Sequence, residues 1–296
     1  MPFQPSTPET PGADSPPAHV PYLVEPLRDL DAWTRYFQSA EVPVLSSTSR
    51  RIEALRADED NVDANMLGEV IDRDPLMTLK LMALVASKRR PGVVTETESV
   101  TTSLVMMGIS PFFNNFGLQP TLQKWLADQP RALRGLANLM RRAERAAYFA
   151  QGFAVHRGDT DVGVIRLAAF LYDFAEMLMW CHAPTLQQRI IEAQRADPAL
   201  RTSVIQRSVF NIELDDLRQN LMKLWRLPEL LVRISDNRHP EQSIVRNVVL
   251  AVRLARHTAD GWNNPAIPDD VDEIAQLLNA TPRVALAFVR KIDPPG

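Results

Sequence analysis

Five histidines, one cysteine, three carboxylate clusters and a large arginine complement are the side chains of this chain that could do chemistry. The histidines are His19, His156, His182, His239 and His257. None sits in HExxH and no two stand at metal-ligand spacing, so no helix face offers a ready pair of imidazoles to zinc. His182 follows the sole cysteine, Cys181, but adjacent residues do not both point into one tetrahedral site. His156 and His257 fall near predicted helix ends, where an imidazole suits the negative end of the helix dipole. Cys181 closes the apolar run Leu178-Met179-Trp180-Cys181 and reads as a buried structural thiol; alone, it makes no internal disulfide. The clusters Asp58-Glu59-Asp60, Asp215-Asp216 and Asp269-Asp270-Val271-Asp272-Glu273 coincide with loops and helix first turns. They read as caps that favour the helix dipole, not as acid–base pairs. No serine stands in a GxSxG elbow, and there is neither a GxGxxG nor a GxxxxGK(S/T) phosphate loop.

The positive charge is nearly all arginine, 28 of 33 basic residues. Arg50-Arg51, Lys88-Arg89-Arg90 and Arg141-Arg142 form local clusters that read as solvated helix faces able to touch an acidic partner. A net charge of −3 and a pI of about 6.0 argue against a dedicated nucleic-acid binder, which carries a basic excess. No apolar stretch approaches the roughly 18–20 residues of a membrane span. The N-terminus has neither the basic nor the apolar region of a secretory signal. The cytoplasm is therefore the expected location, with no membrane partner.

The elements that must position these side chains are helical. Of 23 prolines, eight fall within residues 1–26, while the whole chain holds only 11 glycines. Residues 1–26 accordingly read as a disordered or extended leader ahead of a helical body. Leu27, Leu30, Trp33, Tyr36 and Phe37 share one helical face, and so do Val62, Met66, Leu67, Val70 and Ile71. Helix starts are predicted at Asp74-Pro75, Ser110-Pro111, Asp197-Pro198 and Thr281-Pro282. There the first residue caps orphan N–H groups, and proline at N1 lacks only a donor that had no partner. Residues 131–155 predict a long arginine-rich helix, and residues 161–181, apolar on two faces, a central buried one. Amphipathic helices follow near 185–196, 213–226, 228–237 and 241–259, then near 268–279 and 282–292 after a break at Gly261-Trp262-Asn263-Asn264-Pro265. No run demands a strand. The expected fold class is all-α, with two packed helical subdomains joined near residues 120–132.

Five motifs, in order, carry a resemblance. They are Leu67-Gly68-Glu69-Val70-Ile71-Asp72-Arg73-Asp74-Pro75-Leu76-Met77-Thr78-Leu79-Lys80-Leu81-Met82; Val100-Thr101-Thr102-Ser103-Leu104-Val105-Met106-Met107-Gly108-Ile109; Ala168-Ala169-Phe170-Leu171-Tyr172-Asp173-Phe174-Ala175-Glu176; Trp225-Arg226-Leu227-Pro228; and Asn237-Arg238-His239. Over about residues 28–258 the chain resembles the HDOD domain family, all-helical relatives of the HD metal phosphohydrolases. The resemblance divides the chain into a leader (1–26), an N-terminal helical subdomain (27–130), a degenerate HD-like helical bundle (131–260) and a C-terminal helical extension (261–296).

In the HD superfamily, histidine and aspartate side chains hold divalent metals that activate water for phosphoester hydrolysis. Here the histidine of the His-Asp pair is Tyr172, although Asp173 remains. Arg142-Ala143-Glu144 stands where an earlier histidine would fall, and Ala175 and Glu176 replace the glycine and lysine after the pair. Asp173 and His239 are too few to hold a metal pair, and tyrosine, with its pKa near 10, is a poor substitute ligand. The resemblance with these departures implies no metal, no cofactor and no hydrolysis. Asp173, in so apolar a run, needs a partner such as Arg142 or Arg145. The leading expectation is a non-catalytic regulator of bacterial signalling that binds a kinase, receiver or diguanylate cyclase in trans. Its surfaces would be the groove between subdomains and the arginine-rich helix, with Arg141, Arg142 and Arg145 as candidate partner or anion contacts. Two rivals stay open: a divergent HD-type phosphodiesterase, and a cyclic-dinucleotide receptor without catalysis that uses arginines for phosphates.

Overall fold

The computed structural model describes residues 22–88, 99–197, 200–239 and 241–294. Among these all regular structure is helical, and the one β-type pairing is an isolated bridge between Val44 and Thr121. His19, Arg89, Arg90 and Pro198 lie outside the described residues, as does the leader up to residue 21. Residues 22–26 are tied to the body: the Tyr22 hydroxyl donates to the Trp125 carbonyl, and Leu23 N–H donates to the His182 carbonyl.

The first helices are α1 (Leu30–Ser39), capped by the Asp29 carboxylate, and α2 (Ser46–Arg56). Next come α3 (Ala64–Ile71), capped by Asp63, and α4 (Pro75–Ser87). At α4 the predicted start holds: Pro75 is at N1, and the buried Asp74 accepts from Leu76 and Met77 N–H at 3.1 Å. Its second oxygen accepts from Leu45 N–H at 2.8 Å, so this cap also fixes the loop before α2. After α5 (Val100–Met107) comes α6 (Ile109–Asn115), where the expected start shifts. The N-cap is Gly108 at φ +85°, not Ser110, and Pro111 is the third helical residue. The first four N–H groups of a helix lack intrahelical partners, so proline is tolerated there as well as at N1.

A short α7 (Leu122–Trp125) leads into α8 (Pro130–Arg157), the long arginine-rich helix, which ends on Gly158 at φ +70°. The single helix expected over 161–181 is two helices, α9 (Val162–Phe170) and α10 (Phe174–His182). The chain turns at Leu171-Tyr172-Asp173 through the three-residue bonds Tyr172 N–H to Ala169 C=O and Phe174 N–H to Leu171 C=O. No glycine or proline marks the break, because the two halves are buried against different neighbours. Both pack on α8, but α9 also meets the helices over residues 229–234 and 243–257, whereas α10 meets α11 (Pro184–Ala196) and the helix over residues 214–224. The helix expected to start at Asp197-Pro198 is α12 (Thr202–Phe210), but it starts later: Asp197 is the C-cap of α11, and Arg201 is the N-cap of α12, whose Ile205, Val209 and Phe210 are buried. Next come α13 (Leu214–Leu224), α14 (Glu229–Ile234) and α15 (Ser243–His257), which lies along α8 and α9. Last are α16 (Ile267–Leu277) and α17 (Pro282–Ile292). Thr281 occupies the N-cap of α17, but its hydroxyl makes no cap bond.

Two hydrophobic clusters result. The smaller joins Ile52, Leu67, Ile71, Leu104 and Phe112 from α2 to α6. The larger runs from α7 to α17 and also takes in Trp33 and Phe37 of α1, which packs on α13. Helix α4 is apolar all round because it serves both: Met77, Leu81 and Val85 face the smaller cluster, and Leu76, Leu79 and Met82 the larger. Polar contacts pin the seam. Lys80 Nζ reaches Glu41 and Gln119, and His182 bonds Tyr36 Oη at 3.0 Å through Nδ1 and Glu41 C=O at 2.9 Å through Nε2. A carbonyl only accepts, so Nε2 carries the proton and Nδ1 takes the Tyr36 hydroxyl. Burial pushes the His182 pKa down to about 4, against partial opposition from Glu41.

Two outcomes follow. Asp74→Ala strands three backbone donors, two of them buried, and should cost about 2–4 kcal/mol in urea unfolding, with Asp74→Asn milder. His182 is neutral when folded and binds a proton more readily when unfolded. Its contribution is therefore full above pH 6.5 and is lost as pH falls toward 4, on the order of 3 kcal/mol. His182→Gln should flatten unfolding free energy against pH in that window; an unchanged slope would refute the assignment.

Candidate functional site

The break between α9 and α10 puts Tyr172 and Asp173 at the floor of a cavity of about 400 Å³. Helices α11 and α12 form one wall with Ile190, Gln194, Thr202, Ser203 and Gln206, and α15 forms the other with Val252, Arg253 and Arg256. Arg142 of α8, Glu176 of α10 and Arg218 of α13 complete the floor. The lining holds four arginines and no histidine or cysteine.

Asp173 is shared between two guanidiniums. Arg142 Nη2 lies 3.3 Å from its Oδ2, and Arg256 Nη2 lies 3.6 Å from its Oδ1. The same Arg142 nitrogen is 3.4 Å from Glu176 Oε2, while Gln187 Nε2 donates to Glu176 Oε1 at 3.1 Å. Burial works to raise the Asp173 carboxyl, but Arg142, Arg256 and Arg218 outweigh it and hold it below the usual carboxylate range. Burial pushes Glu176 up, with the neighbouring Asp173 charge adding to it against Arg142. Two carboxylates sharing one cation are thus driven apart in acidity, as like charges at close range require.

Arg218 lies with its guanidinium carbon 3.9 Å from the centre of the Tyr172 ring. It donates to Asp215 Oδ1 at 2.6 Å and to the Tyr172 and Ser235 carbonyls. Burial, foremost, raises the Tyr172 phenol, which keeps its proton. Arg253 is held by Asp270 at 2.6 Å and Glu273 at 2.7 Å, and His257 Nδ1 also meets Asp270 at 2.6 Å. Asp270 therefore accepts ion pairs across helices, from Arg253 and His257 of α15, while Asp215 pairs with Arg218 one turn on in α13 and accepts from Asn237. Both also stand in first turns, which corrects the reading of their clusters as simple caps.

The metal-binding chemistry of the HD superfamily does not fit these donors. The one matching carboxylate, Asp173, is engaged by two cations, and the residue beside it is a protonated phenol facing a guanidinium. Among the described residues no three His, Cys, Asp or Glu side chains gather in a way that could hold a metal ion.

The structure separates the other candidates. His239 is exposed, with Nδ1 3.3 Å from Glu241 Oε1, and does not line the cavity. Of the three arginines, only Arg142 reaches it. Arg141 faces solvent and touches Asn138, while Arg145 forms a two-pronged pair with Asp293 at 2.9 Å and bonds Thr258. The partner expected for Asp173 is thus Arg142 and not Arg145. Sequence reasoning missed Arg218, Arg253 and Arg256. Arg218 did leave a signal: it sits at the spacing of the buried residues Leu214, Leu217 and Leu221, where an arginine needs a carboxylate.

A family model described as "HDOD domain" matches residues 42–240. A search of curated proteins found no match. Among solved structures, the MmoQ response regulator of Methylococcus capsulatus superposes with a TM-score of 0.62 at 15% identity, covering 85% of this chain and 98% of that one. A virulence factor of Campylobacter jejuni gives 0.56 at 14% identity, with 89% and 98% covered. At such identities the likeness is one of fold. No helix among the described residues is long and apolar enough to cross a membrane.

Removing Arg142 leaves Asp173 and Glu176 half-compensated in a buried place. Arg142→Ala should cost about 2–4 kcal/mol. Combining it with Asp173→Asn should restore part of that loss in denaturant melts, a coupling that independent sites would not show.

Proposed function

The chain belongs to the HDOD domain family, and we propose that it acts there as a non-catalytic regulator that binds a signalling protein in trans. The observation that carries this reading is Asp173. A hydrolase of the HD type needs its aspartate and histidines free for a metal that activates water. Here the aspartate is neutralised by Arg142 and Arg256, and tyrosine stands beside it. The MmoQ protein is described as a response regulator, which suits a role in signalling.

Helix α8 supplies a partner surface. Its outward ridge is half covered by the end of α17: Asp293 takes Arg145, and a side-chain carbon on Gly152 would meet Ile292. The other half is open. Arg131, Arg134 and Arg141 are exposed on it, and none has an ion-pair partner among the described residues. On a chain of net charge −3, such a ridge suits an acidic face on a kinase, receiver or cyclase.

Affinity capture from native lysate should recover a protein of one of these classes with wild type, and at least tenfold less with Arg131, Arg134 and Arg141 all changed to Glu. Capture unaffected by charge reversal would sink the surface. Stoichiometric iron, manganese or zinc in purified protein, lost with Asp173→Ala, would overturn the non-catalytic reading itself.

A further inference from the structure

The cavity beside Asp173 has the size and chemistry of a small-molecule site. Its volume of about 400 Å³ falls within the range of ligand pockets. Its two walls differ. The α11–α12 side offers neutral hydrogen-bonding groups on Gln194, Thr202, Ser203 and Gln206, over Ile190. The α15 side offers guanidiniums.

The four cations are not equally engaged. Arg218 and Arg253 make short bonds to Asp215, Asp270 and Glu273. Arg142 and Arg256 do not: their contacts to carboxylate oxygens span 3.3–3.6 Å, against about 2.7–2.9 Å for a strong charge-assisted bond. The Arg256 side chain is moreover 45% exposed, the most open of the four. An amine ligand would find Asp173 already neutralised, whereas an oxyanion would find two guanidiniums with donor capacity to spare.

We propose that this cavity binds a small oxyanion-bearing molecule, a phosphate or carboxylate carried on a hydroxylated body of sugar-phosphate size. Arg256 and Arg142 take the anion, and the Gln194–Thr202–Ser203 wall takes the body. The inference rests on the non-catalytic reading of the same site and supplies its input: the ligand bridges α15 and α8 to α11 and α12.

The test is titration calorimetry on metal-depleted protein at constant ionic strength with inorganic phosphate, glycerol 3-phosphate and malate. The expected result is saturable binding of glycerol 3-phosphate or malate, the better of the two telling phosphate from carboxylate as the recognised group. Arg256→Gln should weaken binding at least tenfold. Thr202→Val should weaken the organic ligand but not inorganic phosphate, and Arg141→Gln, outside the cavity, should change nothing. Circular dichroism confirms that each variant is folded. No saturable binding of any probe, or binding indifferent to Arg256→Gln, overturns the proposal and leaves the partner-binding reading standing. Turnover of glycerol 3-phosphate and water to glycerol and inorganic phosphate would instead overturn the non-catalytic reading on which the proposal rests.

Discussion

A carboxylate in the apolar centre of a protein must be neutralised, and Asp173 is where this fold meets that requirement. The helices on either side, α9 and α10, are buried almost throughout, so the turn between them has no access to bulk solvent on most of its faces. Compensation comes from two guanidiniums remote in sequence, Arg142 on α8 and Arg256 on α15. Each pairing holds only if those helices lie where they do. The ion group therefore couples the placement of α8, α10 and α15. Arg218 extends the arrangement by capping the Tyr172 carbonyl and covering its ring, which ties α13 to the same turn.

The same charge arrangement decides what the cavity can do. In the HD superfamily a His-Asp turn gathers metal ligands; here it gathers arginines. The matching aspartate is still in place, but it is held in ion pairs with Arg142 and Arg256. The proposed ligand and partner surfaces then fall on different parts of α8, the inner face at Arg142 and the outer ridge from Arg131 to Arg141. Helix α4, buried against both clusters, makes a mechanical link between the halves, since packed interiors transmit displacement rather than absorb it.

Much of the architecture was legible in the residues. The Asp74-Pro75 cap, the long α8 and the amphipathic helices from α11 onward followed from capping grammar and a 3.6-residue period, both local properties. The break at Leu171-Tyr172-Asp173 was not legible, because a continuous apolar run looks alike whether it is one helix or two folded against different neighbours. The start of α6 was displaced because proline is tolerated anywhere in a first turn. Helix α12 starts later than Asp197-Pro198 because Asp197 closes α11 instead of capping the helix that follows. At the site, the substituted position Tyr172 and the retained Asp173 were visible through the family resemblance, and Arg142 was named as a mate for Asp173. Arg253 and Arg256 were invisible, since nothing within their own helix marks an arginine as facing a distant carboxylate.

The sequence by itself determined that the body is helical, where most helices begin, and that the metal-ligand pattern of its relatives is broken. These depend on backbone donors, side-chain period and residue type, which act within a few residues. Only the tertiary structure decided which charges meet. It gave Asp173 to Arg142 and Arg256, sent Arg145 to Asp293, left Arg131, Arg134 and Arg141 in solvent, and opened a cavity beside Asp173. Coulombic pairing depends on distance in space and on burial, and neither quantity exists until the helices have packed.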